Sequence, residues 1–141
     1  MSVNKTTLRR SVSAAPSWHQ DGSFMGHDVR SVNVWLSLSH CGGDTGTVGL
    51  DLVPRRFDEI LDTTGHGSMF PHSVGPELVD RLEADTPLVT PEFHPGDALV
   101  FDERFLHRTS VREGLVGVRH AIESWFFAPS SFPESYVPIV C

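Results

Sequence analysis

A chain of 141 residues can bury one sizeable core but not two, so residues 1–141 are expected to form a single domain built around one site. With 39% hydrophobic and 21% charged residues the composition is too apolar for a disordered chain. The net charge of −7, with basic residues scattered, excludes a footprint for nucleic acid. No apolar stretch follows Lys5, Arg9 and Arg10 as a secretory signal requires, and no run is long enough to span a bilayer; a cytoplasmic location away from membranes is expected.

In chain order, short apolar runs alternate with turn residues, which is the punctuation of an all-β domain. Thr7 to Ser13 reads as the first strand. Val32 to Ser39 alternates with period two, setting Val32, Val34, Leu36 and Leu38 on one face and Asn33, Trp35, Ser37 and Ser39 on the other. Thr47 to Val53, Pro87 to Thr90, Ala98 to Asp102, Phe105 to Thr109 and Val118 to Phe127 are further strands, each bounded by Gly, Pro, Asp or Ser. Arg56 to Leu61 is expected to make a short helical turn, and Pro76 to Ala84 a helix with proline in its first turn. Pro95-Gly96-Asp97 is a turn that launches the strand from Ala98. Seven or eight such strands fit a sandwich or jelly roll. The two cysteines, Cys41 and Cys141, form no framework and read as free thiols.

His19-Gln20-Asp21 sets an imidazole and a carboxylate two residues apart, and on an extended segment both project to one side while Gln20 points away. Two histidines and one carboxylate on one face of an octahedron suit non-haem Fe(II), because the remaining positions stay open for co-substrate and oxygen. A lone His-x-Asp is also compatible with a plain Asp21-Gly22 turn, so a second histidine is needed. Among the eight histidines, His107 comes from a later strand and is the preferred partner; His27, His40, His66, His72, His94 and His120 are the alternatives. Most of those sit in turn-like surroundings, and alternation sends His120 to the face opposite its neighbour Arg119.

Taken together, Trp18-His19-Gln20-Asp21-Gly22, Val32 to Leu38, Gly96-Asp97-Ala98-Leu99-Val100-Phe101, Leu106-His107-Arg108 and Arg119-His120-Ala121-Ile122 resemble the phytanoyl-CoA dioxygenase family in order and spacing. The resemblance implies a double-stranded β-helix, or jelly roll, of the cupin-like kind. It assigns His19, Asp21 and His107 as Fe(II) ligands and Arg119 as the anchor for the far carboxylate of 2-oxoglutarate. A planar guanidinium suits that task, since it engages a carboxylate through two parallel hydrogen bonds. Arg108 and Arg112 are rival anchors at other distances from the histidine. Arg119, Ala121, Glu123 and Trp125 share one strand face. Ala121 stands where some relatives carry a hydroxyl residue, so Thr109 or Asn33 is expected to supply the additional co-substrate contact. Retention of Asp21 implies hydroxylation or a related oxidation rather than halogenation.

Family members commonly run to twice this length, the extra part lying mostly before the metal motif. Here either Lys5 to Ser13 supplies an abbreviated strand for that work, or another copy of the chain covers the sheet, a homo-oligomer, or the chain is a fragment of a longer protein. The implied reaction joins a small organic substrate, O2 and 2-oxoglutarate, with succinate and CO2 released. Trp18, Phe24, Met25 and Trp35 are candidate walls of the substrate pocket. Two rival readings remain: a cupin-like metal enzyme that does not use 2-oxoglutarate, and a non-catalytic or degenerate jelly-roll domain that binds a small molecule or metal.

Overall fold

The computed structural model describes residues 3–11, 17–65, 67–68, 70–110 and 112–135. His66, Cys141 and the end of the first expected strand, Val12 and Ser13, lie outside them. Among the described residues the chain forms β1 (Val3–Ser11), α1 (Gly22–Met25), β2 (Ser31–Ser37), β3 (Cys41–Gly42), β4 (Leu50–Leu52), α2 (Pro76–Asp85), β5 (Glu92–Phe93), β6 (Ala98–Asp102), β7 (His107–Thr109) and β8 (Arg119–Phe127).

The principal sheet is antiparallel with order β1-β8-β2-β6. Facing it are shorter pairs, β4 with β7 and β3 with β5. Bridges Trp18↔Val74, His19↔His107 and Leu52↔Val89 extend the β4–β7 pair on both sides. This is the cupin-like jelly roll, a fold that closes two short-stranded layers over one core. Trp35, Cys41, Leu50, Leu52, Phe93, Phe101 and Ala121 pack between the layers. Trp18, Val53, Phe57, Val74, Val79 and Leu106 form a second cluster that includes α2, and Val29, Trp125 and Phe127 form a third. No helix among the described residues is long and apolar enough to cross a membrane.

The expected helix at Pro76 and the strands at Ala98 and Val118 are present with nearly the expected limits. Pro87 to Thr90 contributes only the bridge at Val89. The helical turn expected at Arg56 to Leu61 does not form. Its backbone is instead held from a distance: the Gln20 amide donates to Glu59 O at 3.2 Å, and Gln20 Oε1 accepts from Leu61 N–H at 2.6 Å.

Along β2, Ser31, Asn33, Trp35 and Ser37 are buried while Val32 is exposed. Along β8, Arg119, Ala121, Glu123, Trp125 and Phe127 are buried, and His120 faces out. The polar faces of these two central strands therefore point into the jelly roll. Register sets Asn33 opposite Trp125 and Trp35 opposite Glu123, concentrating polar side chains on one inner wall.

Candidate metal and co-substrate site

His19 and His107 are directly opposed on neighbouring strands. They exchange both backbone hydrogen bonds, His19 N–H to His107 O at 3.0 Å and His107 N–H to His19 O at 3.1 Å. Side chains at such a pair leave the same face, and the ring centroids lie 4.4 Å apart. The extended segment then ends. Asp21 adopts helical angles (φ −59°, ψ −33°) and heads α1, so the bite between His19 and Asp21 is made by a corner and not by a straight strand. Gly22 N–H donates to Glu103 O at 2.8 Å, and a Cβ on Gly22 would collide with Ile60. Gln20, fully buried, points the other way and donates to Arg104 O at 2.5 Å.

Each ring is oriented by its own Nδ1, which donates to a carbonyl two residues back: Ser17 O at 2.9 Å for His19, Phe105 O at 3.0 Å for His107. Since a carbonyl only accepts, this fixes the tautomer and leaves both Nε2 lone pairs available. Both Nε2 atoms lie 3.8 Å from Asp21 Oδ1. The other carboxylate oxygen, Oδ2, is occupied: it accepts from Asn33 Nδ2 at 2.9 Å and from Trp125 Nε1 at 2.6 Å. Three donor atoms within 4.8 Å of one another thus face a common point, which is a donor set able to hold a divalent cation. Burial, and then the neighbouring His107, push the His19 imidazole down to about 4 from the ordinary 6.5. His19 is therefore neutral, as a ligand must be, over the whole physiological range.

Arg119 shares with His19 and His107 the lining of a cavity of about 280 Å³, completed by Arg9, Ser11, Trp35, Leu50, Thr109 and Glu123. Its Nη1 donates to Gly49 O at 2.5 Å, and Nη2 to Ser11 Oγ at 3.2 Å and Thr109 Oγ1 at 3.4 Å. The guanidinium carbon lies 5.4 Å from the centre of the Trp35 ring. Its Nε has no hydrogen-bond partner among the described residues. Burial pulls the guanidinium below the usual arginine range. A buried cation held mainly by hydroxyls and a carbonyl, with a donor unpaired, has capacity for an anion. Gly49 makes the carbonyl contact possible, since any Cβ there would overlap Gly42 Cα.

The sequence-derived residues distribute as follows. Thr109 lines the cavity beside Arg119. Asn33 does not: its amide is directed to Asp21 and, at 3.4 Å, to Glu123 Oε1. Of the rival anchors, Arg108 donates to Asp51 at 2.9 Å and covers Trp18, while Arg112 contacts Asp44 and Gly43. Trp35 lines the cavity, Phe24 stands 6.1 Å from His19, and Met25 packs against the cluster of Val29, Trp125 and Phe127. Trp18 borders a separate, mostly apolar cavity of about 410 Å³ beside α2. His72 Nδ1 donates to Ser23 O at 3.0 Å, His120 faces out, and His40 and His94 lie together elsewhere on the surface.

Trp125, Glu123, Arg9 and Ser11 were not singled out from the sequence as site residues. Trp125, already placed on the face of Arg119 by alternation, reaches Asp21. Arg9 and Ser11 come from β1; Arg9 Nε donates to Glu123 Oε2 at 2.8 Å, completing the chain Arg9, Glu123, Asn33, Asp21.

No protein-family model and no curated protein sequence matches this chain. Solved structures do. EctD from S. alaskensis with bound Fe superposes with TM-score 0.69 at 16% identity over 96% of this chain and 48% of its own. EvdO2 from Micromonospora carbonacea var. aurantiaca complexed with 2-oxoglutarate gives TM-score 0.62 at 19% identity over 99% of this chain and 55% of its own. The non-heme monooxygenase ThoJ in its apo form gives 0.58 at 14% identity over 89% and 45%. The chain spans about half the length of each of these structures, and at such identities the likeness is one of fold.

Proposed function

We propose that the chain is an Fe(II)- and 2-oxoglutarate-dependent dioxygenase domain resembling the phytanoyl-CoA dioxygenase family, acting on a small organic substrate in the cytoplasm. The observation that carries this reading is a single cavity lined by His19, His107 and the buried Arg119, with Asp21 Oδ1 converging on the Nε2 atoms of both histidines. Iron-bound EctD and 2-oxoglutarate-bound EvdO2 share the fold, which supports the same pair of groups here.

His19, Asp21 and His107 are the residues that would hold Fe(II), and their donor set fits that ion: two imidazoles, one carboxylate and, among the described residues, no fourth protein donor in the cluster. The chemistry supplied by ferrous iron and 2-oxoglutarate when bound is oxygen-driven hydroxylation, with succinate and CO2 released. The protein's own part is binding, orientation and exclusion of water. Asn33 and Trp125 aim Asp21 by occupying Oδ2. The carbonyls of Ser17 and Phe105 hold the rings in the ligating tautomer. Arg119, with Thr109 and Ser11, anchors the distal carboxylate of the co-substrate, and a 280 Å³ cavity suits a ligand of that small size. Trp35 and Leu50 form its apolar wall.

Succinate release tests this reading. In air, the iron-loaded chain should convert 2-oxoglutarate to succinate, if slowly without its substrate, and a panel of small hydroxylatable compounds should accelerate it. Binding of 2-oxoglutarate without any succinate would favour the binding-domain alternative, and metal-dependent turnover indifferent to 2-oxoglutarate the cupin-like one.

For the partner, we propose a second copy of this chain on the outer face of the principal sheet. Leu8, Val32, Val100 and Phe126 are exposed there, at 68%, 46%, 62% and 45%. One apolar face meeting its own copy about a two-fold axis would cover them. Sedimentation should show a dimer that Val100→Lys dissociates; a wild-type monomer at high concentration contradicts it.

A further inference from the structure

We infer that His40, Glu92 and His94 form a second divalent-cation site, suited to zinc, which clips β3 to β5 on the surface away from the first. The register produces it. Cys41 pairs with Phe93 and Gly42 with Glu92. One step beyond that ladder, His40 falls opposite His94. Alternation sends Cys41 and Phe93 into the core, where both are buried, and turns His40, Glu92 and His94 outward. Gly42, opposite Glu92, offers no side chain to crowd the space between them.

Both imidazoles address one oxygen. His40 Nε2 lies 2.7 Å and His94 Nε2 3.7 Å from Glu92 Oε1, and the two rings stack with centroids 4.6 Å apart and planes 18° from parallel. All three donor atoms fall within 4.8 Å of one another. Zinc takes imidazole nitrogen and carboxylate oxygen at about 2.0–2.2 Å, so small rotamer adjustments bring the three donors onto one ion, with water completing the shell.

A second, independent feature is the carboxylate behind His94. In the turn that starts β6, Asp97 Oδ2 accepts from His94 N–H at 2.7 Å and lies 3.7 Å from His94 Nδ1, while Asp97 N–H returns to His94 O at 3.0 Å. Asp97 thus holds the His94 backbone in place and sets a carboxylate on the side of the ring nitrogen that does not face Glu92. The donor set is exposed and closed on one side only, so it ranks cations by intrinsic affinity, and zinc stands well above ferrous iron in that order. The clip has a mechanical consequence: Phe93, between Glu92 and His94, packs 4.8 Å from Trp35, which in turn covers Arg119.

The test uses the full, metal-free chain carrying His19→Ala, which removes the first site and leaves the second. Calorimetric titration with zinc sulfate should give one equivalent per chain. Glu92→Gln in that background should weaken it about tenfold or more, and His94→Ala should abolish it. Zinc should raise the melting temperature of His19→Ala but not of the His19→Ala, His94→Ala double variant. Should His19→Ala prove poorly folded, the wild type serves: two equivalents of zinc, reduced to one by His94→Ala, with the imidazole nitrogen resonances of His40 and His94 shifting on binding. A single equivalent in the wild type, or titrations unaltered by His94→Ala, would overturn the site.

Discussion

Trp125 Nε1 donates to Asp21 Oδ2 at 2.6 Å, across a register that also sets Trp125 opposite Asn33. One carboxylate oxygen is therefore held by two buried donors from β2 and β8, and only Oδ1 is free to face the histidines. Trp125→Phe keeps most of the buried ring and removes this donor. Metal affinity, measured with manganese as an air-stable substitute, should fall about ten- to a hundredfold with little loss of folded structure. An unchanged affinity would show that Asn33 alone orients Asp21.

Arg119→Lys replaces a planar fork that reaches Gly49, Ser11 and Thr109 with a point charge. The dissociation constant for 2-oxoglutarate should rise about ten- to a hundredfold, the range expected for losing a hydrogen bond to a charged group. Arg108→Lys, whose guanidinium belongs to Asp51, should leave it unchanged. Equilibrium dialysis with labelled 2-oxoglutarate distinguishes the two; equal losses would remove Arg119 as the anchor.

Gln20→Ala should act on stability and not on the ligands. The side chain bonds Glu59 O, Arg104 O and Leu61 N and faces away from the metal point. Leaving those backbone groups unpaired should cost about 1–3 kcal/mol each at most, read as a lower urea midpoint. A loss of metal binding at temperatures where the variant is folded would contradict this division.

The His19 imidazole gives the metal-free protein a pH dependence of known sign. In the unfolded chain it takes its proton near the ordinary 6.5, and in the folded chain only at about 4, because burial and then His107 oppose the charge. Between these values the unfolded state binds more protons, so stability falls as pH drops from about 6.5 to about 4 and this contribution levels off below. Urea midpoints across that window should decline less steeply for His19→Gln than for the wild type. Parallel slopes would contradict the assignment.

The grouping of His19, Asp21 and His107 as candidate ligands was legible in the residues because His-x-Asp and the distant His107 keep their order whatever lies between. Alternation also separated the faces of β2 and β8 correctly. What alternation does not say is which face turns inward. Val32, Val34 and Leu36 look like core residues, yet Asn33, Glu123 and Arg119 are inside, where Asn33 bonds Asp21 and Glu123, and Arg119 bonds Gly49, Ser11 and Thr109. The two-residue strands β3 and β5 are too short to show a period. The absent helix near Arg56 reflects contacts with Gln20, some forty residues earlier, which no local propensity encodes. Asn33 was placed on the right face but assigned to the co-substrate, since register with Trp125, not spacing, directs it to Asp21.

The convergence of His19, Asp21 and His107 on one ion is tested most directly by adding Fe(II) and 2-oxoglutarate to the chain without oxygen and recording the visible spectrum. Chelation of the ion by the co-substrate should produce a charge-transfer band in the wild type and in Gln20→Ala, and none in folded His19→Ala or Asp21→Ala. A band of equal strength in all four proteins would contradict the account.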